Sequence, residues 1–148
     1  MQLKLYLDIC TLCRPFDNQG NMRIRLETDA YYLILNGIQS QKYEMIISSM
    51  HFKEIESIED NREKIQIIHL LDIYGKEGNY EYIKAKERAD ELIKNNIGIA
   101  DSIHLAFAEQ SADYLITCDD KFIKRSKRIK TEIEVINPVE FCTKEELK

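Results

Sequence analysis

The sequence predicts an α/β fold with a mostly parallel central sheet that is covered by helices on both faces. Short apolar segments of strand length alternate with longer segments whose apolar residues recur at helical spacing. This alternation is typical of parallel sheets, whose strands are buried on both faces and read as near-continuous apolar runs. With 148 residues, the chain is expected to form a single domain over 1–148.

Composition and charge exclude several classes of protein. Hydrophobic residues make up 44% of the chain and charged residues 32%, with five Gly and two Pro, which excludes disordered and collagen-like chains. No apolar run approaches the ~20 residues that span a bilayer, and no signal-peptide pattern is present, so we expect a cytoplasmic protein without membrane contact. The net charge of −5 means that nucleic acid would need a local basic patch or a bound cation.

The N-terminal segment predicts a strand followed by a loop and a helix. Residues 4–9 read as a short buried strand that ends near Asp8. The loop at 14–21 is rich in turn-forming residues, and Asn21 is expected to cap a helix over 22–38.

A second strand is predicted at 44–48, followed by a helix that Ser48 or Ser49 caps and that runs to Ile58. A further helix is expected to begin at Asp60 or Asn61 and to end at Gly75. Its predicted inward residues are Ile65, Ile68, Leu71 and Ile73.

The second half of the chain continues the alternation. Its predicted elements are an edge strand or linker at 80–83, helices at 84–95, 100–110 and 121–130, and strands at 113–117 and 134–136. Asn137 and Pro138 are expected to end the last strand.

Four acidic residues stand at positions of functional interest. Asp8 and Asp119 follow predicted strands, and an open parallel sheet binds ligands outside the carboxyl ends of its strands. Glu54 lies about two turns into the helix after the second strand, near the same edge. Asp101 begins the helix before the 113–117 strand and is expected at the opposite edge, unless that helix tilts or follows a long crossing element.

Each acid alone also fits a helix cap, a turn or a solvated helix face. Four carboxylates placed together would repel one another unless a divalent cation lay between them. A metal site is therefore the economical interpretation of the set.

The segments that carry these acids resemble the PIN domain family. They are 5–8, 48–54, 100–106 and 115–122, of which the last two match the patterns D-x-x-x-x-A and L-x-T-x-D-x-x-F. Residues 135–141 fit as well, so the resemblance covers nearly the whole chain. The sequence departs from the family after Asp8, where Ile9 and Cys10 stand in place of the usual Ser, Thr or Asn.

The resemblance implies a three-layer α/β/α sandwich that brings Asp101 to the other acids. It implies that Asp8, Glu54, Asp101 and Asp119 bind Mg²⁺ or Mn²⁺ and form the catalytic centre of an enzyme that hydrolyses RNA. It also implies a homodimer and the role of toxin in a toxin–antitoxin pair, with an antitoxin protein as partner.

Further residues are assigned supporting roles on this basis. Thr117 and Asp120 would support the metal ligands. Phosphates of single-stranded or structured RNA would contact basic residues, namely Arg14, Lys121, Lys124 and Arg125. A solvated basic helix is the alternative for the last three, and a satisfied core histidine is the interpretation favoured for His104.

Two other functions stay open. A haloacid-dehalogenase-type phosphatase also places an Asp after its first strand and an Asp pair after a later one, but it needs a second acid where this chain has Cys10. A PIN-like module that binds RNA or protein without cutting is the other alternative.

Cys10 and Cys13 form a C-x-x-C that lacks a second ligand pair for zinc. Pro15 argues against a helix through Cys13 and Arg14, so a redox role is not favoured either.

Overall fold

The computed structural model describes residues 2–147 and contains a five-stranded sheet in which every pair of neighbouring strands is parallel. The strands are β1 (Leu3–Leu7), β2 (Tyr43–Ile47), β3 (Gly75–Glu77), β4 (Tyr114–Ile116) and β5 (Glu134–Ile136). The helices are α1 (Ile9–Cys13), α2 (Met22–Gln39), α3 (Ser49–Ile55), α4 (Asn61–Tyr74), α5 (Tyr82–Lys94), α6 (Ile99–Ser111), α7 (Asp120–Ser126) and α8 (Pro138–Lys144). A 3₁₀ turn, Arg14–Phe16, follows α1.

The strand order β3-β2-β1-β4-β5 places β1 at the centre of the sheet. The chain builds one half of the sheet through β2 and β3 and then crosses to the other side of β1 to add β4 and β5. The order therefore reverses between β1 and β4, and this is the place where an open parallel sheet leaves a crevice at its carboxyl edge.

Successive residues of each strand face opposite helical layers. Leu5 and Leu7 of β1 pack with apolar residues of α1, α2, α4 and α8, whereas Tyr6 packs with those of α5, α6 and α7. Ile116 and Leu115 of β4 divide in the same way. Because side chains alternate across a strand, this division shows a sheet covered on both faces. The predicted three-layer α/β/α sandwich with a parallel sheet is confirmed.

The position of Asp101 follows from a helical hairpin. Glu81, at the start of α5, exchanges hydrogen bonds with the side chain of Gln110 near the end of α6, so the two helices run antiparallel. Just past α6, Asp113 donates its backbone N–H to Lys4 at the amino end of β1 (2.7 Å). The N-terminus of α6 therefore lies toward the carboxyl edge. The expectation that topology leaves Asp101 at the opposite edge was wrong, because α6 leads directly into β4 and therefore ends at the amino edge and begins at the carboxyl edge. The crossing element that brings the chain to that edge is α5.

Several predicted boundaries need correction. The first strand ends at Leu7 instead of residue 9, because Asp8 caps α1. The edge strand is β3 instead of 80–83, and Tyr82 already begins α5. The basic helix ends at Ser126 instead of residue 130.

The inward face of α4 also differs from the prediction. Ile67 and Leu71 are buried, whereas Ile65, Ile68 and Ile73 are exposed. Apolar residues occupy more than one face of α4, so periodicity alone did not identify the buried one. None of the helices within residues 2–147 has the length and apolarity that crossing a membrane requires.

Candidate functional site

Asp8 is a buried carboxylate at the carboxyl end of β1. Its Oδ1 accepts hydrogen bonds from the backbone N–H of Thr11 (3.1 Å) and from the Thr11 hydroxyl (2.9 Å), which makes it the N-cap of α1. The Thr117 hydroxyl donates to its Oδ2 (2.5 Å), and the Cys10 thiol lies within 3.2 Å of both oxygens. Burial raises the pKa of Asp8 despite these donors. The side chain is thus held rigidly in one orientation.

Thr117 connects Asp8 to Asp119. While its hydroxyl donates to Asp8, the same oxygen accepts the backbone N–H of Asp119 (3.1 Å). Oδ1 of Asp119 in turn accepts the N–H groups of Lys121 (3.0 Å) and Phe122 (3.2 Å) at the start of α7. The carboxyl ends of β1 and β4 therefore present two oriented carboxylates side by side.

Glu54, on α3, is held by a buried relay of polar side chains. His104 Nε2 contacts the Glu54 carboxylate, and His104 Nδ1 lies 2.5 Å from the hydroxyl of Tyr6. That hydroxyl is also 2.7 Å from the Oγ of Ser48. A neutral imidazole that donates from Nε2 to Glu54 and accepts at Nδ1 from Tyr6 satisfies every contact.

A second histidine braces this relay. His51 Nδ1 accepts the backbone N–H of Ser48 (3.0 Å), and Nε2 donates to the carbonyl of Leu7 (2.7 Å). Burial, followed by the nearby His104, lowers the pKa of His51 to about 3, so its ring is neutral. It packs on Tyr6 with ring centroids 4.6 Å apart. The hydrogen bond to Leu7 ties α3 to the end of β1, next to Asp8.

Asp101, in the first turn of α6, is surrounded by the other acids. Burial and then the negative charges of Asp8, Asp119 and Glu54 raise the pKa of Asp101 to about 6, while His104 acts in the opposite direction. Asp8, Glu54 and Asp119 thus each lie within electrostatic range of Asp101. The structure therefore brings Asp8, Glu54, Asp101 and Asp119 to one edge of the sheet.

The donor set at this edge fits a divalent cation of the Mg²⁺ or Mn²⁺ type. It consists of carboxylate oxygens, which such hard cations prefer. Within residues 2–147, no three His, Cys, Asp or Glu side chains already stand at ligand spacing. His104 contacts Glu54 through Oε1 and α7 is capped by Oδ1 of Asp119, so within residues 2–147 each acid keeps a second carboxylate oxygen without a hydrogen bond. The residues present fit a metal ion in kind, and these contacts hold one oxygen of Glu54 and one of Asp119 in place.

The remaining predicted residues divide into paired and unpaired groups. Arg14 binds the buried Glu27 (2.7 Å) and also Asp17 (3.0 Å). Asp120 forms a two-point ion pair with Arg23 at the surface, where it offers no hydrogen bond to the four acids. Lys121, Lys124 and Arg125 are exposed and have no ion pair within residues 2–147.

His104 and Tyr6 are the residues of this site that the sequence did not identify. His104 was interpreted as a satisfied core histidine, and it is buried, but one of its ring nitrogens faces a candidate ligand. Its position three residues after Asp101 was the available signal, because residues at i and i+3 share a helix face.

The C-x-x-C pair needs one correction. Cys10 does lie in the first turn of a helix, since Asp8 caps α1, and Pro15 is accommodated in the following 3₁₀ turn. The thiols are nevertheless not activated. A hydrogen bond with Cys118, followed by burial, raises the pKa of Cys10, and burial raises that of Cys13 to about 12. Reactive thiols have a lowered pKa instead.

We expect Cys10→Ser and Cys13→Ser to retain metal-dependent activity close to that of the wild type. A serine at position 10 keeps a hydrogen-bond donor beside Asp8, and no hydrogen bond joins Cys13 to the four acids within residues 2–147. Cleavage assays in Mn²⁺, together with the zinc content of each purified variant, check this prediction. Loss of bound zinc and of folding in either variant would show that the pair is a metal site.

Comparison with known proteins shows the fold. The chain is similar to FitAcB from Neisseria gonorrhoeae, with 16% identity over 90% of this chain and 97% of that one and a TM-score of 0.55. It is also similar to VapBC2 from Rickettsia felis, which was solved bound to a DNA fragment from its promoter. The identity is 19% over 90% of this chain and 98% of that one, with a TM-score of 0.57. PAE2754 from Pyrobaculum aerophilum matches with 13% identity over 97% and 88% and a TM-score of 0.51.

No family model and no curated protein matches the sequence. The structural likenesses show the PIN-like fold that the sequence resemblance implied.

Proposed function

We propose that the chain is a metal-dependent endoribonuclease that hydrolyses RNA phosphodiester bonds with Mg²⁺ or Mn²⁺ as cofactor. The observation that carries this proposal is the gathering of Asp8, Glu54, Asp101 and Asp119 at the switch point of a parallel sheet. There, the negative charges of the other three acids help to raise the pKa of Asp101. Such crowding of carboxylates is costly without a cation.

When bound, a divalent cation would lower the pKa of a water and stabilise negative charge on the phosphate and the leaving oxygen. The chain's own part is to hold the ligands in place. Asp8 is fixed from two sides by Thr11 and Thr117. Asp119 is oriented by the N–H groups of α7. Thr117 thus supports two ligands, whereas Asp120, paired with Arg23, supports none.

The phosphatase and the non-catalytic module, the two alternative functions, need different residues from those of the nuclease. The phosphatase needs an acid two residues after Asp8, and that place is taken by Cys10, whose thiol is a weak donor and whose pKa is raised. A non-catalytic module has no need for four carboxylates at the switch point. Mn²⁺-dependent cleavage of single-stranded RNA would support the nuclease, release of phosphate from a monoester would support the phosphatase, and RNA binding without cleavage would support the module.

We further propose the biological setting that the resemblance implies. In it, the chain is a single domain and the toxin of a toxin–antitoxin pair, with an antitoxin protein as partner. The homodimer stays a prediction. Co-purification with the product of an adjacent reading frame tests the partner, and the molar mass in solution tests the dimer.

Adding Mn²⁺ should raise the Tm of the wild type, and Asp8→Asn should abolish most of that rise. At a hundredfold excess over Kd we expect about 5–10 °C for a chain of this size. Asp72→Asn, at an exposed position on α4, is the matched control and should keep the full rise. Differential scanning fluorimetry measures all three proteins. Equal rises for the wild type and Asp8→Asn would contradict metal binding at the four acids.

A further inference from the structure

RNA that approaches four clustered carboxylates needs compensating positive charge close to them. The chain as a whole carries −5, so bulk attraction does not supply it. Basic side chains that already neutralise a carboxylate contribute little new attraction. The candidates are therefore unpaired basic groups beside the site.

Three of the seven arginines pair with carboxylates, and four have no ion pair within residues 2–147. Arg14, Arg23 and Arg88 each form ion pairs with carboxylates. Arg125 and Arg128, in and just after α7, lie within salt-bridge distance of no carboxylate in residues 2–147. Arg14 was expected to contact phosphate, but Glu27 and Asp17 already occupy its guanidinium.

Arg125 and Arg128 line one cleft next to the four acids. Arg25 and Arg62 lie on α2 and α4, at the other face of the sheet. The cleft has a volume of about 410 Å³, and its other wall is the turn 95–98 between α5 and α6, so that no carboxylate lines it. It adjoins the site at Gly98, because a methyl group placed on that glycine would lie 3.6 Å from Oδ2 of Asp101. Arg125 stands about 9 Å along α7 from Asp119, at 1.5 Å per residue.

We propose that this cleft binds a backbone phosphodiester of the RNA strand next to the bond that is cut, with Arg125 and Arg128 as its ligands. A guanidinium presents paired N–H donors that match two phosphate oxygens. Neither guanidinium of this cleft is in an ion pair within residues 2–147. The asparagine side chains of the turn, Asn95 and Asn96, border the same space and bring further polar groups. The proposal rests on the nuclease function and adds to it the path of the substrate.

Binding of fluorescein-labelled single-stranded RNA, followed by anisotropy in EDTA, tests the cleft without cleavage. Arg125→Gln combined with Arg128→Gln should weaken binding about tenfold or more at low salt. The slope of log K against log salt should fall in magnitude by about 0.7, since the cleft binds one phosphate and each single-strand phosphate contact contributes about 0.7. Arg62→Gln is the matched control, because Arg62 is also exposed and unpaired within residues 2–147 but lies on α4, at the other face of the sheet.

Each outcome decides the proposal. Wild-type affinity and slope in the double variant, or an equal loss in Arg62→Gln, would overturn it. A parallel assay with single-stranded DNA of the same sequence should show the same dependence on the two arginines, and a dependence confined to RNA would overturn phosphate as the group that is bound. A chain that needs both arginines to bind RNA but does not cut it in Mn²⁺ refutes the nuclease and leaves the cleft standing.

Discussion

Asp119→Asn should slow the cleavage of RNA by about 100-fold or more, by analogy with the loss of other metal ligands and electrostatic groups. Asparagine has the shape of aspartate and its amide oxygen can still cap α7, so the N–H groups of Lys121 and Phe122 keep their acceptor. What disappears is the negative charge of Asp119, which acts on Asp101. The measurement is single-turnover cleavage of a fluorescent single-stranded RNA in saturating Mn²⁺, with folding checked by circular dichroism.

Asp120→Asn is the neighbouring control and should cost far less. Asp120 is exposed and bound to Arg23, so its removal breaks a surface ion pair whose charge is screened by salt. Comparable losses in the two variants would mean that the aspartates act as a pair, as the phosphatase interpretation requires. A larger loss for Asp120→Asn would mean that the match to the L-x-T-x-D-x-x-F pattern is displaced by one residue.

The placement of Asp8 and Asp119 could be predicted because it depends on local signals. Leu5 and Leu7 mark a buried strand that ends at Asp8, and the apolar residues of β4 do the same for Asp119. Once the strands are parallel, their carboxyl ends meet at one edge. Nothing beyond strand recognition and the direction of the chain is needed for this step.

Asp101 could not be placed in the same way, because its position depends on long-range packing. α6 begins at the carboxyl edge because it packs along the sheet and ends at the amino end of β4, and the antiparallel packing of α5 on α6, which buries Ala85, Ala89 and Leu92, stabilises this arrangement. The amphipathic pattern of α5 predicts a helix but not the direction in which it crosses the sheet. The resemblance to a known family supplied what the periodicity could not.

The pairing of charged groups also lies beyond sequence patterns. Arg14 stands in a turn-rich loop beside the first strand and has the features of a phosphate ligand. Its partner Glu27 is 13 residues away, on a buried face of α2 that contacts the 3₁₀ turn and Asn137. The difference between Arg14 and Arg125 is therefore a result of tertiary structure.

His104 shows the same limit for a histidine on an apolar helix. Its sequence neighbours Leu105, Ala106 and Phe107 are buried, which is the environment of a core histidine. The partners that distinguish it come from α3 and β1, at sequence separations of 50 and 98 residues. Burial and a functional contact are both present, and only the fold reveals the second.

His104→Asn should weaken Mn²⁺ binding about tenfold or more, because partners that orient a metal ligand contribute 10–100-fold to affinity. The shorter amide can still serve the hydroxyl of Tyr6, but it does not reach Glu54, whose side chain is 30% exposed and loses its contact with the imidazole. His104→Gln, whose amide reaches closer to the place of Nε2, should restore part of the loss. Isothermal titration calorimetry measures the affinity, and His69→Asn, at an exposed position on α4, is the control.

A double-mutant cycle separates positioning from a purely structural role. If His104 acts through Glu54, adding His104→Asn to Glu54→Gln should weaken Mn²⁺ binding no further, since the carboxylate that His104 orients is already gone. A core histidine would instead lower the Tm in every background and leave the affinity of the single variant unchanged. Additive losses in the cycle would show that the two residues act independently. Absence of Mn²⁺ binding by the wild type would refute the metal centre itself. The other results test only whether Tyr6, His104 and Glu54 act together.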